Sequence, residues 1–169
     1  MSLYYIANFY KDVDYMRLLA VMLEVSDSFF MRVSRTRIED RYNHGRDDFM
    51  KLPKCIISES SRSKYYADMH FQITPELKML LKKYFTEDEG LCSFGFYKNN
   101  IRIMCVEEGI MTYIVIPDNM IDVKQKLKQA GIKIDSFSAI MEPWVINEKG
   151  YEYYAKNPNK AKDTKFLMG

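Results

Sequence analysis

Residues 91–131, LCSFGFYKNNIRIMCVEEGIMTYIVIPDNMIDVKQKLKQAG, constrain the fold more than any other part of the chain. Three short apolar runs are separated by two reversal signals, and a helical stretch with its own start and stop follows. Asn99-Asn100 favours the positive φ of a tight hairpin, and Glu108-Gly109 supplies a second reversal. Ile101, Ile103 and Cys105 alternate with Arg102, Met104 and Val106. Both rows are largely apolar, which predicts a central strand covered on both faces. Runs joined by such short turns pair antiparallel, because parallel neighbours need a long crossover.

The rest of the chain builds around this meander. A first helix is expected at about 12–25, with Asp12 as its N-cap and Tyr15, Leu18, Leu19, Met22 and Val25 on one face. A second, at about 75–85, has Thr74 as cap, Pro75 at the first helical position, and Leu77, Leu80, Leu81, Tyr84 and Phe85 as its inner face. A third, at about 119–130, starts from Asp118, carries Met120, Val123, Leu127 and Ala130 inward, and stops at a left-handed Gly131. Strands are expected at 4–9, 28–38, 54–59, 66–73 and 132–140. The pattern predicts an α+β fold with a mixed or mainly antiparallel sheet, a central meander at about 91–116, and helices mostly on one face. One domain spans residues 1–159, and the aperiodic residues 160–169 read as a frayed tail.

With 169 residues, 47% of them apolar, the chain can bury a core without disulfides or metals. Cys55, Cys92 and Cys105 are odd in number and form no CxxC pair, which points to a reducing compartment, here the cytoplasm. The apolar run 16–25 is too short to span a bilayer, so no membrane association is expected. Lys+Arg 25 against Asp+Glu 23 is too balanced to name a nucleic-acid partner from bulk charge. No GxxxxGK[ST], GxGxxG or GxSxG loop is present, and neither a cofactor nor a metal is expected.

One window departs from the chain's habits. Lys outnumbers Arg 17 to 8 overall, yet residues 32–48, RVSRTRIEDRYNHGRDD, hold five Arg and no Lys. Local use of the planar guanidinium suits phosphate or carboxylate recognition, and Arg35 and Arg37 would share a strand face. Arg35, Arg37, Arg41 and Arg62 are therefore the candidates for anion or nucleic-acid binding. The competing expectation is a self-paired loop in which Glu39, Asp40, Asp47 and Asp48 neutralise the same arginines. His44 beside these acids is the one candidate catalytic constellation, although its Asn43 and Gly45 neighbours indicate a turn. Cys92 and Cys105 read as small hydrophobes inside strands, and His70 as a packed strand histidine. Trp144, Tyr151, Tyr153 and Tyr154 either cover the fold or present an interaction surface.

These features leave three functional expectations. The first is a non-enzymatic binding or interaction protein (an inhibitor, immunity-type or accessory protein) that meets a protein partner through a sheet edge or the aromatic C-terminal section. The second is a small anion- or nucleic-acid-binding domain that uses the Arg-rich segment. The third is an enzyme of unrecognised type centred on His44 and the nearby acids.

Overall fold

The computed structural model describes residues 2–7, 13–60, 63–86, 90–107, 111–132 and 138–140. The strands are β1 (Ser2–Ala7), β2 (Ser28–Ser34), β3 (Ile56–Glu59), β4 (Tyr66–Gln72), β5 (Phe94–Lys98), β6 (Ile101–Glu107), β7 (Met111–Ile116) and β8 (Ser138–Ile140). They form one eight-stranded sheet in the order β3-β4-β2-β5-β6-β7-β1-β8, and every neighbouring pair is antiparallel. The meander β5-β6-β7 lies at its centre, as the turn signals require. Asn99 and Asn100 adopt φ values of 50° and 62°, which close the β5–β6 hairpin with the strand twist. The Glu108-Gly109 turn, the Asp12 cap, Arg62, the aromatic residues 144–154 and the tail 160–169 lie outside the described residues.

Among the described residues there are four helices rather than three: α1 (Val13–Val25), α2 (Arg46–Met50), α3 (Pro75–Thr86) and α4 (Ile121–Gln129). The additional α2 is short, and it follows a 3-10 turn over Arg41–Asn43. Its place in the fold comes from Phe49, which is fully buried and stacks on Phe29 with ring centroids 6.0 Å apart. Phe49 thus holds this short segment against the sheet. Helix α3 starts as its sequence requires, with the Leu77 N–H donating to Thr74 Oγ1 at 3.2 Å. Helix α4 ends in a Schellman motif: Gly131 has φ +76°, its N–H bonds the Lys128 carbonyl, and the Ile132 N–H bonds the Leu127 carbonyl. Its start differs from expectation. Met120 is the N-cap and offers no side-chain acceptor, while Asp118 accepts a hydrogen bond from Lys124 Nζ at 3.1 Å.

One continuous core joins the helices to one face of the sheet. Leu18, Leu19 and Met22 of α1, Leu77 and Leu81 of α3, and Val123 and Leu127 of α4 meet Phe29, Met31, Phe94, Phe96 and Met104 there. Phe29 is its hub, with the rings of Phe49, Phe71, Phe94 and Phe96 all within 6.3 Å. Burial of each such ring contributes on the order of 1.5–3 kcal/mol, which makes this layer the main source of stability. The opposite face of β2, β4, β5 and β6 is buried as well, and its composition is very different.

A register shift accounts for part of that difference. Phe96 pairs with Met104 but Tyr97 pairs with Arg102, so Ile103 is an extra residue in β6. The bulge breaks strict alternation and separates Arg102 from the Met104–Val106 row. Gly95 belongs to the same close approach: a Cβ there would strike the Phe30 ring and the Met104 carbonyl.

Candidate functional site

Two regions carry most of the polar chemistry among the described residues. The first is the corner formed by the Arg-rich turn and the outer edge of the sheet. Strand β2 stops at Ser34, short of the expected 38, so Arg35 and Arg37 do not share a strand face. Asn43 explains the stop. Its Oδ1 accepts the Ser34 N–H at 2.9 Å and its Nδ2 donates to the Arg37 carbonyl at 2.6 Å, folding the chain back on itself. The Arg35 N–H then bonds the Tyr65 carbonyl, bringing the turn beside the β3–β4 connection.

The self-paired arrangement is not what forms for Arg35 and Arg37. Arg35 approaches Glu59 of β3 at 3.7 Å rather than any acid of its own window. Asp40 instead accepts the Tyr42 N–H as cap of the 3-10 turn, and Asp48 accepts from Tyr84, Lys83 and Lys51. These three donors, the Tyr84 hydroxyl foremost, hold the Asp48 carboxyl down at about 2. Arg37 is exposed and makes no ion pair among the described residues. Arg41 lies with its guanidinium 5.8 Å from the Tyr42 ring.

At this same corner β3 forms the end of the sheet, and all four of its residues are exposed. Ile56 is 67% and Ile57 54% accessible, while Tyr65 beyond the loop is 54% accessible. The Ser60 N–H bonds the Tyr66 carbonyl, so Ser58 and Ile56 direct their main-chain groups toward β4 by the two-residue repeat. Ile57 and Glu59 consequently turn their N–H and C=O groups away from the sheet.

The second region is the buried face of β2, β4 and β6. Arg32 is completely buried and forks onto Asp68, with Nε–Oδ1 at 2.8 Å and Nη2–Oδ2 at 3.1 Å. Its Nη1 reaches Glu107 at 3.3 Å, and the other Glu107 oxygen accepts from Ser93 at 3.0 Å. Alongside, Arg102 donates to the Tyr97 hydroxyl and lies 4.4 Å from the Phe30 ring centroid. Two arginines and two carboxylates give a balanced quartet, which is how charge is tolerated in an interior. Burial pushes the Cys105 thiol well above its ordinary range, and Glu107 beside it adds to the effect. Cys105 is therefore an inert thiol, as expected, despite the nearby arginines. Cys92 departs from expectation in lying before β5, half-buried, rather than inside a strand.

Neither periodicity nor motif spacing singles out this quartet. Its signal was charge set within each of three apolar strands: Arg32 in FFMRV, Asp68 in ADMHF, and Arg102 and Glu107 in IRIMCVE.

His44 presents its ring edge-on to Tyr84 at 5.3 Å, and His70 shares a hydrogen bond with Ser58 Oγ at 2.9 Å while stacking near Phe30. Among the described residues no group of three or more His, Cys, Asp or Glu converges as metal ligands. A cleft of about 380 Å³ between the end of α1 and α4 is lined by charges that engage each other, Lys126 with Glu24 at 2.6 Å and Lys98 with Asp122 at 3.1 Å. No helix among the described residues is long and apolar enough to cross a membrane. The chain matches no protein-family model, no curated protein and no solved structure.

Proposed function

We propose that this chain is a non-enzymatic interaction protein that takes up an extended segment of a protein partner along the outer edge of β3. The observation that carries this reading is an open edge strand with two exposed isoleucines. Folded proteins normally defend such edges with charge, proline or cover, because unpaired main-chain groups invite another strand. Here Glu59 alone supplies charge within β3, and Ile56 and Ile57 present branched side chains suited to strand pairing. Addition of a strand supplies affinity through main-chain hydrogen bonds and specificity through alternate side chains. Three free thiols fit a cytoplasmic setting for this encounter.

The test uses the outward amides. In the free protein the Ile57 and Glu59 N–H groups exchange rapidly with solvent, and on complex formation both become protected. Ile57→Pro removes one outward donor and leaves the β3–β4 ladder its bonds, so partner retention falls while stability holds. A partner retained in full by Ile57→Pro, with unchanged exchange at both amides, would falsify the proposal.

The anion- or nucleic-acid-binding reading is favoured by one specific observation, the exposed Arg37, which makes no ion pair among the described residues. Under that reading, retention on an oligonucleotide is salt-dependent and drops in Arg35→Ala/Arg37→Ala without loss of stability. An enzyme centred on His44 has less support, since Asp48 is already engaged by three donors.

A further inference from the structure

Resting on the β3-edge reading, we infer that the segment received there is acidic: an extended peptide with carboxylates at alternate positions. The argument is one of charge around the open edge. Arg35 and Arg37 lie on the turn tied to Tyr65, Lys64 precedes Tyr65 with its ammonium 5.3 Å from that ring, and Lys54 stands just before β3. Against these four cations β3 itself offers only Glu59.

Glu59 acts as an internal stand-in for the ligand. At 3.7 Å and 85% side-chain exposure it holds Arg35 loosely, and a peptide carboxylate in the same row can replace it with a forked contact. Two acids of the Arg-rich window are engaged elsewhere, Asp40 in its cap and Asp48 in the α2–α3 contact. A pleated partner strand brings every second side chain to one face, so alternate carboxylates line up with the cations. The intervening apolar side chains fall on the opposite face, where Ile56 stands.

The experiment is fluorescence anisotropy on the full chain with four labelled ligands: Thr-Glu-Val-Glu-Val-Glu-Thr, its Gln counterpart, its Lys counterpart, and an oligothymidylate. The acidic peptide is expected to bind roughly tenfold more tightly than the Gln peptide at low salt, since each exposed ion pair adds a modest increment. The preference shrinks as salt rises, reverses toward a Lys-containing peptide in Arg35→Glu/Arg37→Glu, and sharpens in Glu59→Gln. Equal binding of the Glu and Gln peptides, with both lost in Ile57→Pro, overturns the acidic preference and leaves the edge reading intact. Acidic binding insensitive to Ile57→Pro overturns both. Failure of the acidic peptide to bind, or tighter binding of the oligonucleotide with the same arginine dependence, also overturns the inference, the latter in favour of nucleic acid.

Discussion

Asp48 illustrates how much of a residue's behaviour depends on its neighbours. Alone it would be an ordinary exposed carboxylate in a helical turn. The Tyr84 hydroxyl at 2.8 Å and the Lys83 and Lys51 ammonium groups at 3.2 Å bring it to about 2 from an ordinary 3.8. Because the folded value lies below the unfolded one, its contribution to stability is complete above 3.8 and is lost as pH falls toward 2. Thermal melts should therefore show the wild type and Asp48→Asn well separated at about pH 5 and converging near pH 2. A separation that stays constant across this range would mean that the Asp48 charge plays no part. Gly45 contributes to the same contact: with φ +78° it brings the turn so near that a Cβ would sit 2.8 Å from the Tyr84 ring.

At the scale of elements, the legible parts are those whose causes are local in sequence. The Thr74 cap is one, and Thr74→Ala should cost about 1 kcal/mol in urea unfolding because the Leu77 N–H loses its acceptor. A cost near zero would show that water substitutes freely at that end of α3. The Asn99-Asn100 hairpin and the Gly131 stop were readable for the same reason: two or three adjacent residues settle the backbone angles. The end of β2 was not readable in this way. It depends on Asn43, nine residues downstream, reaching back to Ser34 before the expected strand is complete. Helix α2 is not among the three helices that periodicity predicts, because its five residues carry none, and the position of Phe29 in space explains where it packs. The β6 bulge likewise leaves no mark within IRIMCVE, since it is a mismatch between two strands rather than a property of either.

For the whole molecule, the sequence indicated an α+β fold with a mixed or mainly antiparallel sheet and helices mostly on one face, and the strand order was beyond it. The Arg-rich corner was legible as unusual composition, while its alignment with β3 required the turn, β4 and β3 to be assembled together. The buried quartet belongs to this scale as well, because Arg32, Asp68 and Glu107 come from three strands and are brought together only by the complete sheet. Asp68→Ala leaves the fully buried Arg32 without its forked partner. It should lower stability by about 3–5 kcal/mol in denaturant unfolding. A loss below about 1 kcal/mol would indicate that solvent reaches Arg32.

The pairing of β1 has a consequence for how the molecule is made. Its neighbour β7 lies ~110 residues later, with Ser2 opposite Ile116, and its other neighbour β8 comes later still. At ribosomal speeds of about 5–20 residues per second, β1 waits several seconds after synthesis before either partner exists. The hairpin-linked strands β5, β6 and β7 can associate as they emerge, whereas β1 is inserted between strands that arrive after it. Until then its main-chain groups are open on both sides, and a nascent chain of this protein has every reason to be held by a chaperone at that segment.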